Sequence, residues 1–420
     1  LVVSMFGAFQ NKFHTFVLTT FSKDPLMKSA QKTLLPLLIC VFSLISCPSR
    51  PNTLTKITTK QIDSLNRVAL KCGDTSFDAS CRMAKLAIQL SQAIYYPDGE
   101  AEACLTLGGN VFGKHQYVNA ITYYFNAISL SRNKNPKIFA RANIAISKIF
   151  SSISRYEIAE SYYDLAAAEA GKISDTLTHI LLHIRASDIQ VEKKEFSKAA
   201  TNLYFALYLA ICSKDTSEWN IYQNIGTLYL KQHNYSKATY FFKKSILAEE
   251  QIQYKYGLGS TYTLLAMAFQ EIHDQKKAAM YHHMALSIRK SQGLKDLYCS
   301  SLINVGAFYL SLNNLDSAEY FLTKALQMVS ETKNDNLKAY GFLKQKELFI
   351  KQNKYKDACI AYDNYLAAQT RHDIEKNRGK IDFIEATNRF KDLENKKIIL
   401  DRENQLQKVE LALKNKTNII

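Results

Sequence analysis

Few stretches of this 420-residue chain hold residue types at spacings that suggest chemistry, and each fails on its surroundings. Gly108-Gly109-Asn110-Val111-Phe112-Gly113-Lys114-His115 has the G-x4-G-K order of a phosphate-cradling loop. In such a loop backbone amides and the lysine hold phosphates, and a Ser or Thr hydroxyl meets Mg²⁺. Here His115 takes the hydroxyl's place and no apolar strand precedes the glycines. His179 and His183 share one helical face at a spacing that can hold zinc, but Ile180 stands where a zinc protease carries its glutamate. His282 and His283 are adjacent and point in different directions. Cys104, Cys212, Cys299 and Cys359 are isolated, with no CxxC pair, and no elbow motif marks a nucleophile. The adjacent acids Glu249 and Glu250 read as solvated helix-end residues. These patterns predict no catalysis, no metal and no cofactor.

The elements behind these residues are helical and periodic. Ala120, Ala159, Ala199, Ala238, Ala278, Ala318 and Ala358 follow one another at steps of 39, 40, 39, 40, 40 and 40 residues. A single globular core has no reason for that cadence, whereas stacked helical hairpins meet through the same close contact in every unit. From Trp219 to Glu250 the apolar and small residues Ile225, Gly226, Tyr229, Tyr235, Ala238, Phe242 and Ile246 recur at helical steps in two segments, broken at His233-Asn234. Gly226 and Ala238 lie one on each helix and let the backbones approach. Ser147, Ser187 and Gly306 are the matching small residues elsewhere, Gly108 that of the first unit, and Lys346 breaks the pattern in the last.

The Gly…Tyr…Tyr-x-x-Ala…Phe order resembles the tetratricopeptide repeat family over residues 101–370, although the pitch near 40 exceeds the usual 34. The resemblance implies an all-α fold: a right-handed superhelical solenoid of about seven helix pairs followed by a long C-terminal helix. The units fall at about 101–139, 140–179, 180–218, 219–258, 259–298, 299–338 and 339–370, after an N-terminal helical cap at 61–100. In that family first helices line a concave groove. Carried over by position, the groove would present Lys148, Asp188, Gln223, Thr227, Lys231, Thr263 and Gln270 to an extended peptide or protein ligand. Asn224 and Asn304, beside small residues, read as packing between units.

The net charge is +16. Residues 1–60 carry +6 and residues 371–420 carry +3, which leaves +7 over the 310 residues between. That mild excess argues against direct nucleic-acid contact. Residues 27–47 read as a secretory leader: two lysines, then 14 uncharged residues from Leu34 to Cys47. Leu44-Ile45-Ser46-Cys47 also resembles a lipoprotein box that would lipidate Cys47; ordinary cleavage and an uncleaved anchor are the other readings. Residues 1–26 read as an extension upstream of the true start at Met27. An exported chain, membrane-attached at the periplasmic face, would permit a disulfide between Cys72 and Cys81; two buried thiols are the alternative. Beyond Asp373, apolar residues at Ile381, Ile384, Phe390, Leu393, Leu400, Leu406, Val409 and Leu413 give an imperfect heptad seam. It is read as a coiled-coil stalk at 371–420 that would pair a homodimer through 381–413, or else as a solvated helix lying on the last repeat. Exported repeats followed by such a helix resemble the sensor half of membrane-spanning regulators of Bacteroidetes-type bacteria, in which a membrane span follows the stalk. A lipid-anchored envelope scaffold without a signalling module is the alternative.

Overall fold

A computed structural model of the protein describes residues 57–417 apart from 74–76, 114–115, 154, 253, 294 and 331–333. The leader at 27–47, Cys47, and Lys114 and His115 of the phosphate-loop-like stretch lie outside the described residues. Those residues form sixteen α-helices and no strand. They are α1 (Thr59–Gly73), α2 (Phe77–Ala93), α3 (Pro97–Gly113), α4 (Tyr117–Ser131), α5 (Pro136–Ser152), α6 (Tyr156–Ala170), α7 (Thr176–Glu192) and α8 (Phe196–Ser213). Then come α9 (Glu218–Lys231), α10 (Tyr235–Gln251), α11 (Lys255–Glu271), α12 (Gln275–Ser291), α13 (Lys295–Ser311), α14 (Leu315–Ser330), α15 (Asp335–Lys351) and α16 (Tyr355–Thr417).

The chain divides inside α3 into two compact units, Leu1–Asn110 and Val111–Ile420. In the first, α1 and α2 pack as a hairpin around Ile62, Leu65, Cys72, Ala87, Leu90 and Ala103. Ser80 Oγ donates to the backbone carbonyl of Ala69 (2.6 Å), so a small hydroxyl replaces bulk where the two helices cross. Cys72 is buried and Cys81 half-buried, and both are thiols here; their oxidation stays an expectation.

In the second unit α5 pairs with α6, α7 with α8, α9 with α10, α11 with α12, α13 with α14 and α15 with α16, and each second helix leans on the next hairpin. The repeat alanines sit at these crossings: six are fully buried and Ala358 is 6% exposed. The opposing small residues explain the cadence. A Cβ on Gly226 would lie 2.6 Å from the Phe242 ring, and one on Gly306 would lie 2.7 Å from Leu322 Cγ. Ser147 solves the same problem differently, donating to the carbonyl of Ala159 at 2.6 Å. Five hairpin turns share one device. Lys194, His233, His273, Asn313 and Asn353 each end a first helix in the left-handed region, at φ between 55° and 63°. Where Asn or Asp follows, its side chain caps the second helix: Asn234 accepts from Lys237 N, Asp274 from Lys277 N and Asn314 from Ser317 N.

Two buried charges interrupt the apolar seam. Eleven residues after the repeat alanine three units carry Ala170, Ala210 and Val329, but α10 has Glu249 and α12 has Arg289. Glu249 is not the solvated residue expected; it is fully buried. Its Oε1 accepts from Thr261 Oγ1 (3.1 Å), Gln223 Nε2 donates to that same hydroxyl (2.9 Å), and Oε2 has no hydrogen-bond partner among the described residues. Arg289 Nη1 donates to Ser301 Oγ (2.7 Å) and Nη2 to Ser260 Oγ (3.4 Å). Glycines in α11 make room for both. A Cβ on Gly257 would collide with Glu249 Oε1, and one on Gly259 would lie 3.1 Å from Arg289 Cγ.

No break separates the last hairpin from the charged C-terminal segment, since α16 runs unbroken from Tyr355 to Thr417. It does not lie on the last repeat alone. Ala368 and Thr387 are both buried, and α16 packs against α4 as well as α15. No helix among the described residues is long and apolar enough to cross a membrane.

Candidate functional site

Matching positions on successive first helices converge on one hollow. Lys148, Asp188 and Thr227 each follow the small residue of their repeat by one place, and Ser152, Glu192 and Lys231 follow it by five. One- and five-place offsets lie close together on a helix, so α5, α7 and α9 present them as two parallel rows. With Phe112, Ser151, Tyr156, Arg185, Leu203, Asn224 and Leu228 they enclose a pocket of about 290 Å³. Four of the seven expected groove residues therefore meet: Lys148, Asp188, Thr227 and Lys231. The other three are engaged in local bonds. Gln223 donates to Thr261 as described, Thr263 Oγ1 donates back to the Gly259 carbonyl (2.9 Å), and Gln270 Oε1 lies 2.9 Å from His282 Nε2.

Arg185 anchors the floor and was missed at the sequence level. It stands two places before Ser187, as Asn224 does before Gly226, so the repeat register carries a signal for both. Asn224 reaches the pocket rather than serving packing alone, with its Nδ2 donating to Asn220 Oδ1 (2.9 Å). The Arg185 side chain is only 5% exposed. Its Nη1 pairs with Asp188 Oδ2 (3.2 Å) and its Nη2 donates to Ser151 Oγ (3.1 Å), while Nε has no acceptor among the described residues. Across the hollow Lys231 Nζ lies 3.4 Å from Glu192 Oε1, and Tyr156 OH donates to Glu192 Oε2 (3.1 Å). Lys148 forms no ion pair among the described residues; its ammonium lies 5.4 Å over the Phe112 ring.

The electrostatics follow from this crowding. Desolvation pushes the Lys148 ammonium below its ordinary pKa, opposed by the nearby Asp188 carboxylate. Desolvation likewise pushes Asp188 up, with Arg185 and Lys148 restraining it. Thus Lys148 forms no ion pair among the described residues although Asp188 is near, and the buried Arg185 Nε has no acceptor among them. Such a surface takes an acceptor-rich ligand that also carries apolar side chains. Elsewhere the histidine pairs are spoken for. His179 Nε2 lies 3.0 Å from the Ile173 carbonyl oxygen, His183 Nδ1 lies 2.7 Å from Asn202 Oδ1, and His283 Nε2 lies 3.0 Å from Tyr309 OH. No group of His, Cys, Asp and Glu able to hold a metal occurs among the described residues.

No family model matches the chain. The type II methyltransferase M.CeqI of Rhodococcus hoagii is 27% identical over 161 residues, covering 37% of this chain and 30% of that protein. A signal transduction ATPase with numerous domains that carries a tetratricopeptide repeat sensor, from Pyrococcus horikoshii, matches in structure with a TM-score of 0.57. It shares 13% identity, over 82% of this chain and 54% of its own. A Rap protein complexed with Competence and Sporulation Factor matches with a TM-score of 0.51 and 10% identity, over 75% of this chain and 99% of its own. The chain thus spans under a third of the curated relative and about half of the ATPase. Likeness at such identities concerns the fold, and it agrees with the repeat register and the hairpin packing: the described residues form an all-helical array of hairpins with a fold like that of tetratricopeptide repeat proteins.

Proposed function

We propose that the chain is a non-catalytic binding module whose α5–α7–α9 hollow takes a peptide segment, with an acidic group of that segment against Lys148 and Arg185. The observation that carries this reading is a walled pocket that carries two cations: the exposed Lys148, with no ion pair among the described residues, and the buried Arg185, whose Nε has no acceptor among them. Phe112, Leu203 and Leu228 supply walls for apolar side chains beside it. Two proteins of this fold point the same way. The Rap structure holds Competence and Sporulation Factor, and the ATPase uses its repeats as a sensor. The leader at 27–47 supports export, with Cys47 as the lipidated residue and the repeats on the periplasmic side of a membrane, as the sensory part of a regulator. Metabolic labelling with a fatty-acid analogue, lost in Cys47→Ala, is the test of that attachment.

Binding is tested by panning a library of linear peptides on the full chain. Peptides carrying a carboxylate should be enriched. Lys148→Ala should weaken them about tenfold or more, the scale of one charge-assisted hydrogen bond. No enrichment, or enriched peptides whose affinity ignores both Lys148→Ala and Lys231→Ala, would remove the proposal.

A further inference from the structure

The positive excess of the repeats is not spread evenly. Residues 61–370 carry +7, and α10 and α12 hold +5 of it, from seven bases and two acids. One of those acids, Glu249, lies buried in the seam, and α12 has no acid at all. Five of the bases, Lys237, Lys243, Lys244, Lys276 and Lys277, are exposed.

Register gathers these lysines on one face. Lys276 stands two places before its repeat alanine, Lys237 and Lys277 one place before, Lys243 five places after and Lys244 six. At about 100° per residue, all five point within about a quarter turn of the direction opposite the buried alanine. Apolar side chains share that face: Tyr240 and Met280 two places after the alanine, Met284 six and Leu247 nine. They are 56%, 47%, 37% and 54% exposed, while Ala238, Phe242, Ala278 and Ala285 fill the seam on the other side. The two helices present one surface, because Lys243 of α10 and Lys277 of α12 lie over the same Phe269 ring, at 5.6 and 5.3 Å.

Little within the chain offsets this charge. Lys277 pairs with Asp274 (2.6 Å), but Lys237, Lys243, Lys244 and Lys276 form no ion pair among the described residues. Lys237 and Lys244 rest instead over the rings of Tyr229 (5.0 Å) and Tyr240 (5.7 Å). To one side α8 adds no charge from Ala199 to Ser213; to the other α14 adds Asp316, Glu319 and Lys324. A partner for this face must therefore be anionic and must receive apolar side chains. An acidic bilayer surface and an acidic amphipathic helix both answer that description. The type of cation separates them. Carboxylates fixed in a folded partner are met best by the planar fork of arginine, yet the one arginine of these helices, Arg289, is buried and every exposed cation is a lysine. Lysine is a point charge on a flexible apolar stem, suited to head groups that move. Tyrosine, with an apolar ring and a polar tip, suits the depth of the head-group boundary.

We infer that the α10–α12 face lies on an anionic lipid surface, with Tyr240, Leu247, Met280 and Met284 at the head-group boundary and the five lysines on the acidic head groups. This contact is separate from any anchor at Cys47. It uses second helices, so the hollow on the first helices α5, α7 and α9 stays open to its peptide.

The experiment is flotation of the full chain with vesicles of equal parts phosphatidylglycerol and phosphatidylcholine, against vesicles of phosphatidylcholine alone. The expected result is stronger binding to the acidic vesicles, weakened by salt. Each lysine at an acidic surface contributes about fivefold, so the double variant Lys243→Gln, Lys244→Gln should lower that binding at least about tenfold. Tyr240→Gln with Met280→Gln should lower it at least about fivefold and leave the preference for acidic vesicles in place. All four positions are exposed, so far-UV circular dichroism and melting should match the wild type. The control is Lys172→Gln with Lys198→Gln, which removes the same charge elsewhere and should change little. Absence of binding to acidic vesicles overturns the inference, and so does an equal fall in the control, which would make the attraction one of overall charge. Binding that is the same on both vesicles and ignores the α10–α12 variants overturns it as well; it would belong to Leu34–Cys47 and leave the reading of an anchored chain standing. A synthetic acidic amphipathic helix bound through Lys243 and Lys244, with acidic vesicles left unbound, would assign the face to a protein and overturn it too.

Discussion

Glu249 makes the sharpest prediction, because it places an acid where the two preceding repeats place alanine. Burial pushes its pKa from an ordinary 4.5 to about 7, against the hydrogen bond from Thr261, and the neighbouring Glu250 pushes the same way. The fold therefore favours the neutral acid. Below about pH 4.5 the folded and unfolded chains both hold the proton, and no penalty exists. As pH rises, the unfolded carboxyl ionises first while the folded one keeps its proton, and stability falls until the folded group ionises near 7. Across that window the loss is about 1.4 kcal/mol per pH unit, or about 3 kcal/mol in all. Glu249→Ala restores the residue found at Ala170 and Ala210. It leaves a cavity, but the cavity cost does not depend on pH. The readout is amide hydrogen exchange of α10 and α11, which reports local opening in an array held by nearest-neighbour contacts, with urea denaturation alongside. Between about pH 5 and about pH 8 the wild type should lose about 2–3 kcal/mol relative to the variant. Parallel pH profiles for the two proteins would refute the argument, whatever their absolute difference.

Two further perturbations test the packing logic. Gly226→Ala drives a methyl group into the Phe242 ring in a fully buried seam and should cost about 1–3 kcal/mol in chemical denaturation. Asp175 caps α7 through Thr178 N (3.0 Å) and ties it to α5 through Lys137 (3.0 Å) and Arg141 (2.8 Å). Burial works against this carboxylate, but Thr178, Lys137 and Arg141 outweigh it and hold its pKa well below the usual range. Its contribution is therefore complete above the ordinary carboxylate pKa and disappears as pH falls toward the lowered one. Asp175→Ala should cost about 1–3 kcal/mol at neutral pH and converge on the wild type in acid.

How far this architecture can be read from residue order depends on how local the cause is. The hairpin crossings depend on two small residues about twelve apart, so the alanine cadence and its partners were legible, down to Ser147 standing in for glycine. The groove rows were legible for Lys148, Asp188, Thr227 and Lys231, because register alone decides which face a residue occupies. Register does not decide which polar atom is already satisfied. Gln223, Thr263 and Gln270 are absorbed by Thr261, the Gly259 carbonyl and His282. Arg185 was missed for the reverse reason: a guanidinium two places before the small residue reads as surface until Ser151 and Asp188 are seen to hold it down. The return of α16 to α4 joins segments some 260 residues apart, and no short-range pattern announces it. Glu249 reads as a helix-end acid because the notch that receives it belongs to another helix.

The two notches in α11 have a consequence for how the chain finds its order. An array of similar hairpins can mispair, since any unit offers roughly the same seam to any other. Here one joint requires the space beside Gly257 and the next the space beside Gly259. A hairpin docked one place out of turn would press Glu249 against α13, which has Leu297 where α11 has Gly257. Misaligned stacks are thus penalised at the centre of the array, and the succession of units is written into two glycines.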